Sequence, residues 1–285
     1  MYFSSVLKMI SDKWVTCLFK VTKMISSSIK GSKALHKEIH EALVNKYGER
    51  EADSLAIILI EYFFEMGRTQ ILMDVPFTEF EEEIVENINE CIAKLIQNEP
   101  IQHILGETEF YGLPFYVNEN VLVPRQETEE LVDWIIKDQK GVTQFNLLDV
   151  GTGSGCIPIS IKEEYQEAKI IGLDVSLDAL EVAQDNAELN QVSIDWVHDD
   201  IRAASYKPEN LDIIVSNPPY ITNKEKKEMD SNVLDYDPHL ALFVEDNNPL
   251  EFYNAIADFA SSILKKEVNS ILKSMSILEK KLWSY

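Results

Sequence analysis

The sequence predicts an α/β fold, a parallel sheet with helices on both faces, behind a small helical domain. Two patterns lead there. Residues 33–98 carry apolar stripes at helical spacing, and from Asn146 onward short apolar runs alternate with helical segments. A length of 285 residues suits two domains better than one.

The elements follow in order. Leu35, Ile39, Leu43 and Tyr47 recur at helical spacing, and Leu55, Ile58, Leu59, Tyr62, Phe63 and Met66 do so again. Thr78, with Glu81 three residues later, forms a capping box ahead of a third helix. That helix carries the stripe Ile84, Ile88, Ile92 and Leu95 and ends before Pro100. From 101 to 125, glycines, prolines and alternating apolar residues suggest a β-hairpin or an extended linker. A helix around Glu127–Ile136 follows. Asn146–Val150 is then a strand entering a glycine turn, with a helix to about Tyr165. Lys169–Val175 is the next strand, Leu177–Asn190 its helix, and Ile194–Asp199 and Leu211–Ser216 are two more strands. Ligands of such sheets bind at the carboxyl ends of the strands.

Composition narrows the chemistry. Against 26 Lys and Arg stand 49 Asp and Glu, a net charge of −23, which disfavours a large nucleic-acid surface. The acid excess suits solubility or a partner with a basic patch. Cys17, Cys91 and Cys156 are isolated, so neither a metal site nor a disulfide framework is indicated and a reducing cytoplasm fits. No apolar run approaches the ~20 residues that span a membrane. Residues 1–23 are basic and apolar, unlike the rest, and read as a non-native extension before a start near Met24, or as a short ordered helix.

The polar motifs fall at strand ends. Gly151-Thr152-Gly153-Ser154-Gly155, after Asp149, lets a backbone approach a ligand closely and exposes the free N–H groups of the next helix. Dinucleotide enzymes use similar turns. Asp174 ends the second strand, about 20 residues on, where an acid can accept hydrogen bonds from two ribose hydroxyls or merely cap a helix, as Ser176 could instead. His198-Asp199-Asp200-Ile201 ends the third strand; an acid beside an apolar residue suits an adenine, although either acid could be a solvated loop residue. Ser216-Asn217-Pro218-Pro219-Tyr220 ends the fourth. Its prolines supply carbonyls but no N–H, Asn217 adds an acceptor and Tyr220 a ring, which together can hold a planar –NH2 group. The histidines, His36, His40, His103, His198 and His239, read as structural or exposed.

The Asn217–Tyr220 turn resembles that of amino-group methyltransferases acting on adenine, cytosine or glutamine. Three further patterns are similar to the HemK/PrmC family of protein glutamine methyltransferases: Gly106-Glu-Thr-Glu-Phe-Tyr-Gly112, Val123-Pro-Arg125-Gln126-Glu127-Thr128-Glu129, and the segment around Asp235-Tyr-Asp237-Pro238. The likeness spans about 95–264. Gln126 stands where the family usually has proline and Asp237 where it usually has glutamate.

The resemblance implies a Rossmann-like class I S-adenosylmethionine-dependent methyltransferase sheet with an N-terminal helical domain. It implies an enzyme that uses S-adenosyl-L-methionine to methylate N5 of the glutamine in the Gly-Gly-Gln loop of peptide chain release factors. The cofactor would be held by Gly151 to Gly155, Asp174, Asp200, Ile201 and Asn217. The glutamine amide would lie on Asn217, Pro218, Pro219 and Tyr220, with Asn217, Pro218 and Tyr220 catalytic and no metal. Release factors are the expected partners of a cytoplasmic monomer that binds neither nucleic acid nor membrane directly. An adenine-N6 DNA methyltransferase would share the pocket but should carry a basic recognition region. A truncated, non-catalytic S-adenosylmethionine-binding protein is the other alternative.

The expected domains are 1–23, the extension; 24–100, a helical substrate-recognition domain; 101–125, the hairpin or linker; 126–264, the catalytic domain; and 265–285, an aberrant tail. The family sheet should continue with a Gly-Gly turn and three strands, whereas Lys265-Lys-Glu-Val-Asn-Ser follows here, so the C-terminal strands are expected to be missing. One permissible codon choice restores a Gly-Gly turn on insertion of a single base, which reads the tail as out of frame. An amphipathic helix through Val268, Ile271, Leu272, Met275, Leu278 and Leu282 is the other reading.

Overall fold

The structure, a computed structural model, describes residues 25, 29–77, 82–228, 234 and 236–263. The expectations for 1–23, the Thr78–Glu81 capping box, Asp235 and the 265–285 tail lie outside the described residues. The chain forms two compact units that divide between Ile104 and Leu105.

In the first unit α1 (Ser32–Phe64) is interrupted at Gly48, whose φ of 76° and ψ of 172° only glycine adopts without strain. Its first half buries Leu35, Ile39 and Leu43 as the spacing predicts. The second half buries Ala52, Leu55, Ala56, Leu59 and Ile60, whereas Tyr62 is 41% exposed and Ile58 only half-buried. The run Leu55–Phe64 is apolar on more than one face, so periodicity alone selects the wrong partners for Leu55 and Leu59. After α2 (Arg68–Leu72), α3 (Glu82–Ile96) buries Val85, Ile88, Cys91, Ile92 and Leu95. The Tyr47 hydroxyl donates to the Leu95 carbonyl at 2.5 Å, tying α1 to α3. α4 (Ile101–Leu105) ends where the units divide.

The second unit opens with an antiparallel hairpin of β1 (Glu107–Phe110) and β2 (Leu113–Tyr116). Tyr111 and Gly112 both have positive φ, as a tight two-residue hairpin turn requires. Phe110 and Phe115 meet edge to face across it, with centroids 6.0 Å apart. α5 (Gln126–Asp138) leads to a parallel sheet of β3 (Asn146–Val150), β4 (Lys169–Asp174), β5 (Asp195–His198) and β6 (Ile213–Ser216), in the order β5-β4-β3-β6. α6 (Cys156–Glu164) and α7 (Leu177–Leu189) make the crossovers.

Alternate residues face opposite layers, as the pleat demands. Leu147, Ile170, Ile213 and Val215 pack with α5 and α6; Leu148, Val150, Ile171, Leu173 and Ile214 pack with Ile256 and Phe259 of α9 (Glu251–Ile263). Gly172 lets the Trp196 ring lie on β4, for a Cβ there would sit 2.3 Å from it. The fourth strand is shorter than the expected Leu211–Ser216, although Asp212 still meets Asn146 of β3: its N–H donates to the Asn146 carbonyl at 2.9 Å and its carboxylate accepts the Asn146 N–H at 2.8 Å. Among the described residues β6 pairs with β3 alone. Beyond it β7 (Ile221–Thr222) pairs in parallel with β8 (Phe243–Val244), after α8 (His239–Leu242).

Candidate active site

The carboxyl ends of β3, β4, β5 and β6 surround one cavity of about 240 Å³. It is lined by Gly151 to Ser154, Asp174, Asp200, Ile201 and Asn217 to Pro219, so most residues singled out in the sequence share one site.

The glycine turn is built by its own backbone. Gly151 N–H and Thr152 N–H both donate to the Leu173 carbonyl, at 2.8 and 3.1 Å, fixing β3's exit against β4. Gly151 and Gly153 have φ of 72° and 54°, and the space a Cβ would occupy at each is open. Gly155 is not part of the lining. A Cβ there would meet Ile159, Trp196 and Ala183 at 3.1–3.2 Å, so its role is to let α6 start against the sheet.

Asp174 braces that turn: its carboxylate accepts Gly153 N–H and Ser176 N–H, each at 2.9 Å. Ser176 performs the capping, its hydroxyl accepting Ala179 N–H at 3.2 Å. About two of the roughly four lone-pair sites of Asp174 remain for a ligand. The two acids after β5 also separate. Asp199 accepts from the N–H groups of Asp200, Ser205 and Tyr206 and from the Ser205 hydroxyl, which holds its carboxyl below the ordinary range, the Tyr206 N–H contributing most. Asp200 is paired with Arg202 and stands next to Ile201; both acids line the cavity.

Asn217 follows β6, and its Nδ2 donates to the Thr128 hydroxyl oxygen at 3.3 Å. This leaves Oδ1 as an acceptor on a residue that lines the cavity together with Pro218. Tyr220 is 51% exposed and lies outside the lining, at the rim of the expected –NH2 site rather than within it.

Sequence reasoning missed how the site is held together. Thr128, buried on the first turn of α5, positions Asn217. Arg125 Nη2 lies 2.7 Å from the buried Asp237 carboxylate, joining the segment before α5 to the one before α8, whose Pro238, Leu240 and Ala241 line the cavity. Both segments carry quoted motifs, but nothing in either announces the pairing. His198 and His239 contact the carbonyls of Val175 and Leu234, at 3.0 and 2.9 Å. Burial pushes the Cys156 thiol up to about 12 and the Cys91 thiol up to about 11, which leaves both unreactive.

The cavity's chemistry suits S-adenosylmethionine. It offers an open glycine cradle, a carboxylate with free lone pairs for hydroxyls, and apolar walls at Ile201, Phe252 and Ile256.

Comparison with known proteins agrees. Residues 35–106 match the PrmC N-terminal domain and residues 128–235 the methyltransferase small domain. A release factor glutamine methyltransferase from Flavobacterium psychrophilum is 43% identical over 251 residues, covering 84% of this chain and 88% of that protein. One from Bacteroides thetaiotaomicron is 40% identical over 230 residues, 80% and 81% of the two chains. One from Lactococcus lactis is 43% identical over 173 residues, 61% and 63%. With this sheet, this turn and these relatives, the chain belongs to the HemK/PrmC family of release factor glutamine methyltransferases.

Proposed function

We propose that this chain transfers a methyl group from S-adenosylmethionine to the side-chain amide nitrogen of the glutamine in the Gly-Gly-Gln loop of a peptide chain release factor. The observation that carries this reading is the single cavity joining the glycine turn and Asp174 to the Asn217–Pro219 edge. Cofactor and acceptor amide can meet there.

An amide nitrogen is a poor nucleophile because its lone pair is delocalised into the carbonyl. The bound cofactor supplies a methyl group activated by its sulfonium. The chain's residues then have to align and desolvate, which can contribute ~7–11 kcal/mol. The backbone of Gly151 to Ser154 cradles the cofactor, Asp174 accepts the ribose hydroxyls, and Asp200 with Ile201 takes the adenine. Asn217 Oδ1 and the Pro218 carbonyl accept hydrogen bonds from the two amide N–H groups, aiming the nitrogen and stabilising positive charge that grows on it; after transfer the methylated nitrogen gives up one of these protons to solvent. Pro219 keeps the edge rigid and Tyr220 closes over the amide from the rim.

Residues 24–100 recognise the release factor and 126–264 carry the chemistry. No described helix is long and apolar enough to cross a membrane. A cytoplasmic monomer that touches neither lipid nor nucleic acid completes the reading.

Incubation with methyl-labelled S-adenosylmethionine and either a release factor or DNA tests it. Label is expected in the release factor's glutamine alone. Label in DNA sinks the reading, and cofactor binding without transfer to either acceptor makes this a binding protein. Asp174→Ala is expected to weaken S-adenosylmethionine binding by ~1.5–3 kcal/mol, roughly ten- to a hundredfold by calorimetry. An unchanged affinity would leave Asp174 only as a brace for the turn.

A further inference from the structure

Arg202 was singled out by no motif, yet it organises one end of the cavity. Asp200 Oδ1 accepts Arg202 N–H and Nε–H, both at 3.0 Å, while Oδ2 accepts Nε–H at 3.2 Å and Nη2–H at 2.8 Å. The same guanidinium reaches α9: Nη1 lies 3.6 Å from Glu251 Oε1, and Cζ lies 5.4 Å from the centre of the Phe252 ring. Asp200, Ile201, Arg202 and Phe252 all line the cavity. One cation therefore holds an acceptor and an aromatic face that belong to different elements.

The geometry of the pair decides what Asp200 has left to offer. A carboxylate has about four lone-pair sites, and the backbone N–H with the guanidinium fork occupies about three of them. Nε–H is shared, its shorter limb on Oδ1 and its longer one, at 3.2 Å, on Oδ2, so three donors serve four contacts and Oδ2 keeps the one site not filled by a donor of its own. A planar fork also fixes the carboxylate's orientation, which a lysine ammonium cannot do.

We propose that Arg202 is a positioning residue that sets base specificity, orienting Asp200 so that its one remaining acceptor selects a cofactor base with an exocyclic amine over one with an oxo group. The proposal rests on the assignment of Asp200 and Ile201 to the adenine. An amine donates to the free oxygen site. An oxo group would set two acceptors face to face, a repulsive element that discriminates without any new contact. Phe252, held beside the guanidinium, serves either base equally.

Calorimetry of the full chain with S-adenosylhomocysteine and S-inosylhomocysteine tests this: the two ligands differ at that group and at the ring nitrogen beside it, which carries a proton in the inosyl base, and the variants isolate the share due to Asp200. The wild-type chain is expected to prefer the adenosyl ligand by about tenfold or more, the scale of one well-made hydrogen bond. Arg202→Met should lose about five- to tenfold of adenosyl affinity and less than about twofold of inosyl affinity, collapsing the preference. Arg202→Lys should recover little of it. Equal losses for both ligands would reduce Arg202 to a brace for α9 and overturn the proposal, as would an unchanged preference. Asp200→Ala separates the two layers. If it abolishes the preference while Arg202→Met does not, only the role of Arg202 falls. A preference that Asp200→Ala leaves undiminished, or that is missing from the wild-type chain, removes the adenine assignment and the proposal with it. A thermal melt of each variant checks folding, and Arg202→Lys carries the test alone if Arg202→Met does not fold.

Discussion

Asn217→Ala is expected to lower methyl transfer by about a hundred- to a thousandfold, ~3–4 kcal/mol, while cofactor affinity stays nearly unchanged. The asymmetry comes from where the side chain points. Its Nδ2 is held by the Thr128 hydroxyl, which leaves Oδ1 as the group that the proposed reaction turns to the acceptor amide. The holds proposed for the cofactor, the glycine turn after β3 and Asp174 at the end of β4, lie elsewhere. Truncation removes an acceptor whose value rises as the nitrogen becomes positive, so the loss falls on turnover. Single-turnover methylation with calorimetry on the same preparation measures both quantities. More than a tenth of normal turnover in the variant, or a matching loss of cofactor affinity, would refute the role.

The second large effect lies under the turn. Asp149 is completely buried near the end of β3, and among the described residues neither carboxylate oxygen has a well-formed hydrogen bond, the Thr152 hydroxyl being only a near neighbour. Burial pushes its pKa from the ordinary 3.8 up to about 7; the Thr152 hydroxyl opposes the rise and Asp174 adds to it. Because the folded value lies above the unfolded one, the contribution is complete below about pH 4. It is lost as pH rises through 7, since the folded chain must then ionise a buried acid or hold its proton against the solution. A shift of about 3 units at 1.36 kcal/mol each sets the scale, about 4 kcal/mol.

Asp199, Asp200 and Glu225 shift the opposite way, held low chiefly by the Tyr206 N–H, the Arg202 guanidinium and the Thr222 hydroxyl respectively. Their contributions are lost as pH falls below the ordinary carboxylate range, a separate window. Urea unfolding of the cofactor-free chain should therefore show stability declining from about pH 4 to 8, with the slope flattened in Asp149→Asn. Superimposable pH profiles for the two proteins would show that Asp149 does not titrate there.

The catalytic sheet was legible in the sequence because its strands are covered on both faces. Leu147, Leu148 and Val150, or Ile170, Ile171 and Leu173, read as short, mostly apolar runs, and Gly151 marks the end of the first as Asp174 marks the end of the second. The Gly151–Gly155 and Asn217–Tyr220 turns were legible for a related reason: their conformations are set within a few residues by backbone freedom or its loss. In the helical unit the apolar stripe of Leu35, Ile39 and Leu43 was equally plain.

Tertiary structure alone decided the rest. It chose Ile60 over Tyr62 for burial where several faces of the helix are apolar, and it gave the two acids after β5 different holds, Asp199 on the N–H groups of its loop and Asp200 on the Arg202 fork, although both line the cavity. It put Tyr220 at the rim. The contacts that aim the site are long-range: Asn217 with Thr128 spans 89 residues and Arg125 with Asp237 spans 112. Periodicity and turn chemistry act over a few residues and carry no register between segments that far apart. Which polar side chains meet depends on how the sheet twists and where α5 and α9 dock, because that packing brings distant partners within hydrogen-bonding distance.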